Sequence, residues 1–406
     1  VDAHSLVQAI LRYPDVGFRV VRCEAGTHPR DGLEELAEPP VVLEIAPEDY
    51  DLLQGAAWRA NLRRDGVFTG RGPAGPPKLK WKFDTGGPVE SSPVVTGGTV
   101  YVGTNAGRFV ALDAATGALR WQVEVKGGVA SSACVAGGRV FFGGNDGNLY
   151  AVAADDGKVL WRQRTRGQIV TSPGVAYGVV FVEPQLVGLS AEDGKQVWQV
   201  ERNRLTGSGA RSSVAVLPEQ LVMNDSVADI RRAWYLQGHG NTWEGQNTDP
   251  VADGRVYIVN SGAGGNVAQL AMTALDLKSG RKHWQVPLLE VGATKRRTLC
   301  LCSPAVWDGK VFVGCDTGDF VALDTASGER VWSRKVGGAV RSSPAVSAGD
   351  GRIYFGSHDG KLYALDARSG EEAWTWPTGG KVESSPCVAG GVVFVGSADG
   401  LVYAIE

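Results

Sequence analysis

The residues best suited to chemistry are charged, and they occupy one recurring position, immediately before a Ser-Ser-Pro-like triplet. Along the chain that position holds Glu90, Ala130, Val170, Arg211, Asn247, Leu301, Arg341 and Glu383. If the units close into a ring, Arg341, Glu383 and Glu90 fall on consecutive units and Arg211 faces them across the axis. Arg and Glu gathered in this way suit charge-assisted binding of a polar ligand or of a partner's tail. They suit equally well a solvated mouth whose charges pair with one another.

A second constellation lies where the repetition breaks. Residues 231–247, RRAWYLQGHGNTWEGQN, bring together Trp234, Tyr235, His239, Trp243 and Glu244. Segments that depart from a rigid scaffold often carry function, and aromatics beside arginine mark contact hot spots. The other reading is a diverged unit whose aromatics refill its own core. The insert at 288–299, with Lys295, Arg296 and Arg297, is read as a solvated basic loop.

No catalytic set is found. Gly-x-Ser-x-Gly, P-loop and zinc-helix patterns are absent. Of the five histidines only His239 lies outside a motif, a hairpin turn or the N-terminal segment. Cys300 and Cys302 are one residue too close for a redox Cys-x-x-Cys. The six cysteines match neither a disulfide scaffold nor a zinc pattern, and read as small buried apolar residues. No catalytic and no metal-ligating residue is therefore expected.

The elements that must position these groups are repeats. One signature reads Ala-x-Asp-x-x-Thr/Ser-Gly-x-x-x-Trp, with variants. It occurs as ALDAATGALRW, AVAADDGKVLW, GLSAEDGKQVW, ALDLKSGRKHW, ALDTASGERVW and ALDARSGEEAW, ending at Trp121, Trp161, Trp198, Trp284, Trp332 and Trp374. The other signature is the triplet itself, followed by an alternating Val-rich run, in eight slots of which two are degenerate. Each unit reads as four short strands: SPVVTG, TVYVGT, RFVALDA and ALRWQVEV in the first. Gly-Gly at 97–98 and Asn-Ala-Gly at 105–107 suit the hairpin turns between them.

Repeated four-stranded units predict an all-β chain, an eight-bladed β-propeller. The last unit, SADGLVYAIE, lacks an outer strand. Residues 79–87, LKWKFDTGG, are an outer strand without a unit, complete with Trp81. Pairing the two would close the ring and remove a sheet edge. The expected organisation is a short non-propeller segment over 1–78 and the propeller over 79–406. The weakest part of the count lies between Trp198 and Trp284, where two blades fit but one has lost its motif.

Composition agrees. There are 56 glycines against 2 methionines, as many short strands joined by tight turns require. A net charge of −3 gives no footprint for nucleic acid. No apolar run is long enough for a membrane-spanning helix. The chain starts at Val1 without a leader, so its compartment stays open.

Over residues 79–406 the chain resembles the pyrroloquinoline-quinone-like propeller superfamily. Its eleven-residue signature is similar to the tryptophan-docking motif of quinoprotein alcohol dehydrogenases. The resemblance implies that the six motif tryptophans, with Trp81, wedge between blades as structural mortar. It also implies two branches. Quinoprotein dehydrogenases hold the quinone and calcium over the central funnel, usually with inserted loops and often a disulfide of adjacent cysteines. This chain has no Cys-Cys pair, and its first slots are only 40 residues apart. It looks more like the non-enzymatic branch, which includes the BamB-type lipoprotein of outer-membrane assembly and sensor propellers of bacterial serine/threonine kinases. The expectation is a monomeric binding module for a protein partner, without cofactor. A quinone- and calcium-dependent dehydrogenase and a ligand-sensing domain are the alternatives. Family precedent favours the periplasm or cell envelope, while the unpaired thiols leave the cytoplasm open.

The N-terminal segment does not follow the repeat. Gly17-Phe18-Arg19-Val20-Val21-Arg22 resembles the C-terminal strand of the formylglycine-generating-enzyme fold, with a coincidental strand as the other reading. Residues 57–70, AWRANLRRDGVFTG, are similar to the lead-in of such propellers.

Overall fold

The structure is a computed structural model. It describes residues 10–13, 17–22, 34–35, 57, 59–60, 65–165, 167–176, 178–182, 187–199, 215–217, 220–223, 226–229, 250–261, 270–276, 281–289 and 302–406. All regular elements among them are strands.

Blade one shows the pattern. Strands Val94–Thr96, Thr99–Thr104, Arg108–Asp113 and Leu119–Glu124 pair antiparallel in chain order. The second strand is buried along its whole length, whereas the fourth alternates between buried and exposed. Middle strands are covered on both faces by neighbouring blades, so they read as continuous apolar runs, and the outer strand keeps one face in water. Blades two, three, five and six repeat this four-stranded order. Three strands of blade four are described, Ala215–Leu217, Gln220–Met223 and Ser226–Asp229.

The ring closes as the orphan strand requires. Leu79–Asp84 pairs antiparallel with Leu401–Ile405, the third strand of blade eight. Lys78 and Glu406 exchange backbone hydrogen bonds at 2.8 and 2.9 Å. Lys80 Nζ donates to Glu406 Oε2 at 2.7 Å.

The tryptophan signature has a steric logic. In every blade with the motif, the Trp lies opposite the small first residue of the signature: Ala111 faces Trp121, Ala151 faces Trp161, and Gly188 faces Trp198. The register slips by one residue immediately afterwards. Such a bulge twists the strand and re-aims its side chains. The indole then rests on the motif glycine of the next blade, Trp121 on Gly157, Trp161 on Gly194, and Trp284 on Gly328. Its Nε1–H donates to a carbonyl of that same turn, as from Trp121 to Ala154 and from Trp332 to Ala367. The motif Asp sets the turn, with Asp113 Oδ1 accepting from the backbone of Ala115 and Thr116.

The Ser-Ser-Pro slots hold the inner ends together. In five of the slots among the described residues, the second serine accepts from the backbone N–H of its counterpart one blade earlier. Ser92 donates to Ser132, Ser132 to Ser172, Ser303 to Ser343, Ser343 to Ser385, and Ser385 back to Ser92, at 2.8–3.0 Å. The first serine ties strand one to strand two: Ser91 Oγ accepts from Gly103 N–H and donates to Gly103 O. Cys302 Sγ replaces the hydroxyl at the same place in blade six, bonding both ends of Gly314.

Blade seven carries a fifth strand. Val67–Phe68 pairs in parallel with Ala345–Ser347, its innermost strand. In the N-terminal part, Ile10–Tyr13 and Gly17–Arg22 form an antiparallel pair joined by Glu34–Glu35.

Candidate functional site

Antiparallel blades put two kinds of connection on one face of the ring. The segments leading into each slot and the turns between second and third strands share it. The other two kinds of hairpin lie on the opposite face. Backbone bonds stitch the first face together from blade to blade: Val89 N–H donates to Ser397 O, Val129 to Thr104 O, Val340 to Cys315 O, and Val382 to Ser357 O.

This stitching places each pre-slot residue beside the turn of the preceding blade. Arg341 of blade seven forms a two-pronged ion pair with Asp316 of blade six, Nε to Oδ1 at 2.9 Å and a terminal nitrogen to Oδ2 at 3.1 Å. Glu383 of blade eight meets His358 of blade seven, Oε1 to Nε2 at 2.7 Å. Glu90 of blade one is exposed beside the turn at Ala398 and has no ion-pair partner among the described residues. Ala130 and Val170 continue the rim over blades two and three without charge. Arg211, Trp234, His239 and Trp243 lie outside the described residues, as do Asn247 and Leu301.

Arg341 and Glu383 thus share a rim, but each is matched first to a turn residue of the blade before. Sequence inspection missed Asp316 and His358. The signal was their register: they stand where the other turns carry Asn105, Asn145 and Ala398.

The close approach of the His358 imidazole lowers the Glu383 carboxyl from its ordinary value. Burial opposes it, and the charges of Arg341 and Lys381 assist. A carboxyl lowered in the folded state stabilises the fold fully above its unfolded range and loses that contribution as pH falls through the folded value. Glu383→Gln should therefore reduce thermal stability at neutral pH. The difference from the parent should disappear as pH falls below about 4.3, the ordinary glutamate value. Melting curves across that window check this, and a pH-independent difference would contradict it.

The dehydrogenase alternative would place calcium at the funnel, a cation that takes about 6–8 oxygen ligands. Among the described residues no three His, Cys, Asp or Glu side chains converge. Arg341 and Glu383 are already engaged, and Glu90 stands apart. The described part of the rim thus offers no carboxylate cluster for that ion.

A closed ring of docked tryptophans and linked serines defines a pyrroloquinoline-quinone-repeat β-propeller. The family model described as "Outer membrane protein assembly factor BamB" matches residues 55–151, 111–230, 268–350 and 342–406. The chain belongs to this family. It is 31% identical to outer membrane protein assembly factor BamB of Xanthomonas campestris pv. campestris over 142 residues, which are 34% of this chain and 33% of that protein. The chain thus matches about a third of that relative's length. Among solved structures, BamB of Moraxella catarrhalis superposes with a TM-score of 0.62 at 16% identity, over 81% of this chain and 97% of that one. Quinohemoprotein alcohol dehydrogenase of Comamonas testosteroni gives 0.69 at 15% identity, over 89% and 82%. These two structural likenesses show the fold alone.

Proposed function

We propose that the chain is a non-catalytic scaffold that binds a protein partner through the rim carrying Glu90, Arg341 and Glu383. The observation that supports this most is the shortness of the connections on the part of the rim that carries those residues. Only nine residues link the outer strand of one blade to the inner strand of the next in blades one to two, six to seven, and seven to eight. On these blades connections this short leave no loop to wall a concave small-molecule pocket, the usual form of such sites; the longer links into blades four, five and six lie mostly outside the described residues. A surface with charges matched in advance suits protein association, where charge sets orientation and on-rate. Glu90 is the open acceptor on that surface, and a cationic group of the partner is its complement. The relatedness to BamB supports a place in the cell envelope. No helix among the described residues is long and apolar enough to cross a membrane.

Two measurements test this. A photo-crosslinking side chain at position 90 should trap one defined protein in cells, whereas one at Leu119 on the outer edge should not. Glu90→Arg should weaken binding of the trapped protein about tenfold, as a like-charge contact in a rim does. In parallel, pyrroloquinoline quinone with calcium is titrated into the protein and followed by absorbance. Saturable binding together with alcohol-dependent dye reduction would establish the dehydrogenase reading instead.

A further inference from the structure

The inner strand of every propeller blade has a free edge toward the axis, where N–H and C=O groups must find partners. In blades six and seven those partners come from residues 65–70 of the same chain. Val306 N–H donates to Asp65 O at 3.2 Å, Val346 N–H to Gly66 O at 2.8 Å, and Ala348 N–H to Phe68 O at 2.8 Å. Ser347 Oγ donates to Gly70 O at 2.8 Å. Val67 lies opposite Val346, and Phe68 opposite Ser347, in parallel register. Phe68 is buried in the core that also holds Ala345, Cys387 and Val388.

The same segment spans the axis nearer the rim. Ala57 bridges to Cys134 of blade two. The buried Arg59 donates to the carbonyl of Pro304, at the head of the inner strand of blade six. Blades two and six are opposite in a ring of eight. Arg59 and Ala60 take positive φ, 64° and 74°. Non-glycine residues hold such angles where the surroundings over-determine them. On the far face the chain leaves between two hairpins. Gly391 N–H donates to Arg71 O at 3.2 Å, Gly72 N–H to Asp350 Oδ2 at 3.2 Å, and Arg352 to Pro73 O at 2.5 Å.

We infer that the channel face of blades six and seven is a strand-docking site whose occupant is this chain's own segment, residues 65–70. The site takes an extended peptide in parallel register. It selects an aliphatic–aromatic pair, Val67 and Phe68, flanked by glycines. Gly66 is at φ 78°, and a Cβ there would lie 2.9 Å from Pro344 O and 3.0 Å from Ala305 Cβ, so the strand enters only with glycine at that point. The segment thereby plugs the channel from within. This assignment is independent of what binds the rim.

The test cuts the chain without removing the strand. Residues 74–76 are exposed, and a Cβ at Gly75 meets nothing. A specific protease site is inserted there in the full-length protein, and the folded protein is cleaved. The N-terminal fragment is expected to co-elute with the propeller on size exclusion in native buffer and to separate only in denaturant. Phe68→Gly in the same cleavable chain should release it. A fragment that leaves the folded parent propeller in native buffer would overturn the inference. Amide exchange on the uncut, unmodified chain gives an independent reading. Val306, Val346 and Ala348 should exchange at least a hundredfold more slowly than exposed turns. Exchange at turn rates would overturn the inference as well.

Discussion

Trp81→Ala is expected to lower stability by about 3–5 kcal/mol, the usual cost of deleting a buried large aromatic. Trp81 sits on the strand that closes the ring, opposite Ala404. Its indole covers Gly117 of blade one, donates from Nε1 to Ala114 O at 3.0 Å, and meets Phe394 at 5.7 Å between centroids. Its loss leaves a cavity at the joint where two distant stretches of chain meet. The ladder between Leu79–Asp84 and Leu401–Ile405 should then open before the rest of the ring. Trp121→Ala should cost a similar amount globally, since Trp121 is docked in the same way on Gly157. It should not selectively deprotect Leu401–Ile405. Chemical denaturation followed by circular dichroism gives the first quantity, and amide exchange gives the second. Equal exchange in the two variants would show that closure does not depend on Trp81.

Trp374 gives an internal comparison. It is as buried as Trp81, at 8% exposure for each. Its Nε1–H, however, has no acceptor among the described residues. In blade eight the turn that would supply one is divided between two chain segments, 401–406 and 79–84. Trp374→Ala should accordingly cost about 1 kcal/mol less than Trp81→Ala, the net worth of one hydrogen bond.

What could be read from the sequence was whatever repeats. The ring, its eight units and its composite last blade followed from the tryptophan spacing and the slots, because a periodic packing problem leaves a periodic record. The serine relay was visible as positions but not as a mechanism. Its bonds join residues one blade apart, as in Ser92 to Ser132, and only closure makes Ser385 a neighbour of Ser92. The rim was half legible. Glu383 and Arg341 stood out, yet their partners His358 and Asp316 lie on the preceding blade in turns that look like ordinary punctuation. The lead-in stood out by resemblance, but its docking on blade seven was illegible for a different reason. It occurs once, it pairs over two residues with a strand far along the chain, and Asp-Gly-Val-Phe-Thr-Gly has no period for the eye to catch.

The second large effect concerns a glycine whose reason is packing, not backbone freedom. Gly103 is the penultimate residue of the second strand of blade one, in ordinary extended conformation. A Cβ there would lie 2.7 Å from both the Cβ and the carbonyl oxygen of Val129, in the segment leading into blade two. Val129 is itself fully buried. The same clash recurs between Gly143 and Ile169, Gly314 and Val340, Gly356 and Val382, and Gly396 and Val89. At these five joints a β-branched residue before the slot therefore fills the space that the missing side chain leaves one blade earlier, and this contact sets the spacing of the inner ends. Gly103→Ala should cost about 1–3 kcal/mol, the range for overpacking a core, and the upper part of it because one clashing atom is backbone. Gly98→Ala separates this from conformational strain. Gly98 has φ 69° but nothing nearer than 3.9 Å to a Cβ, so it should lose only about 1 kcal/mol. Val129→Ala in the Gly103→Ala background should restore part of the loss, with a coupling of about 0.5–3 kcal/mol between the two sites. The recovery stays partial because the Val129 carbonyl remains. Additive losses in this cycle would mean that the two blades are not spaced by this contact, and that the glycine is kept for another reason.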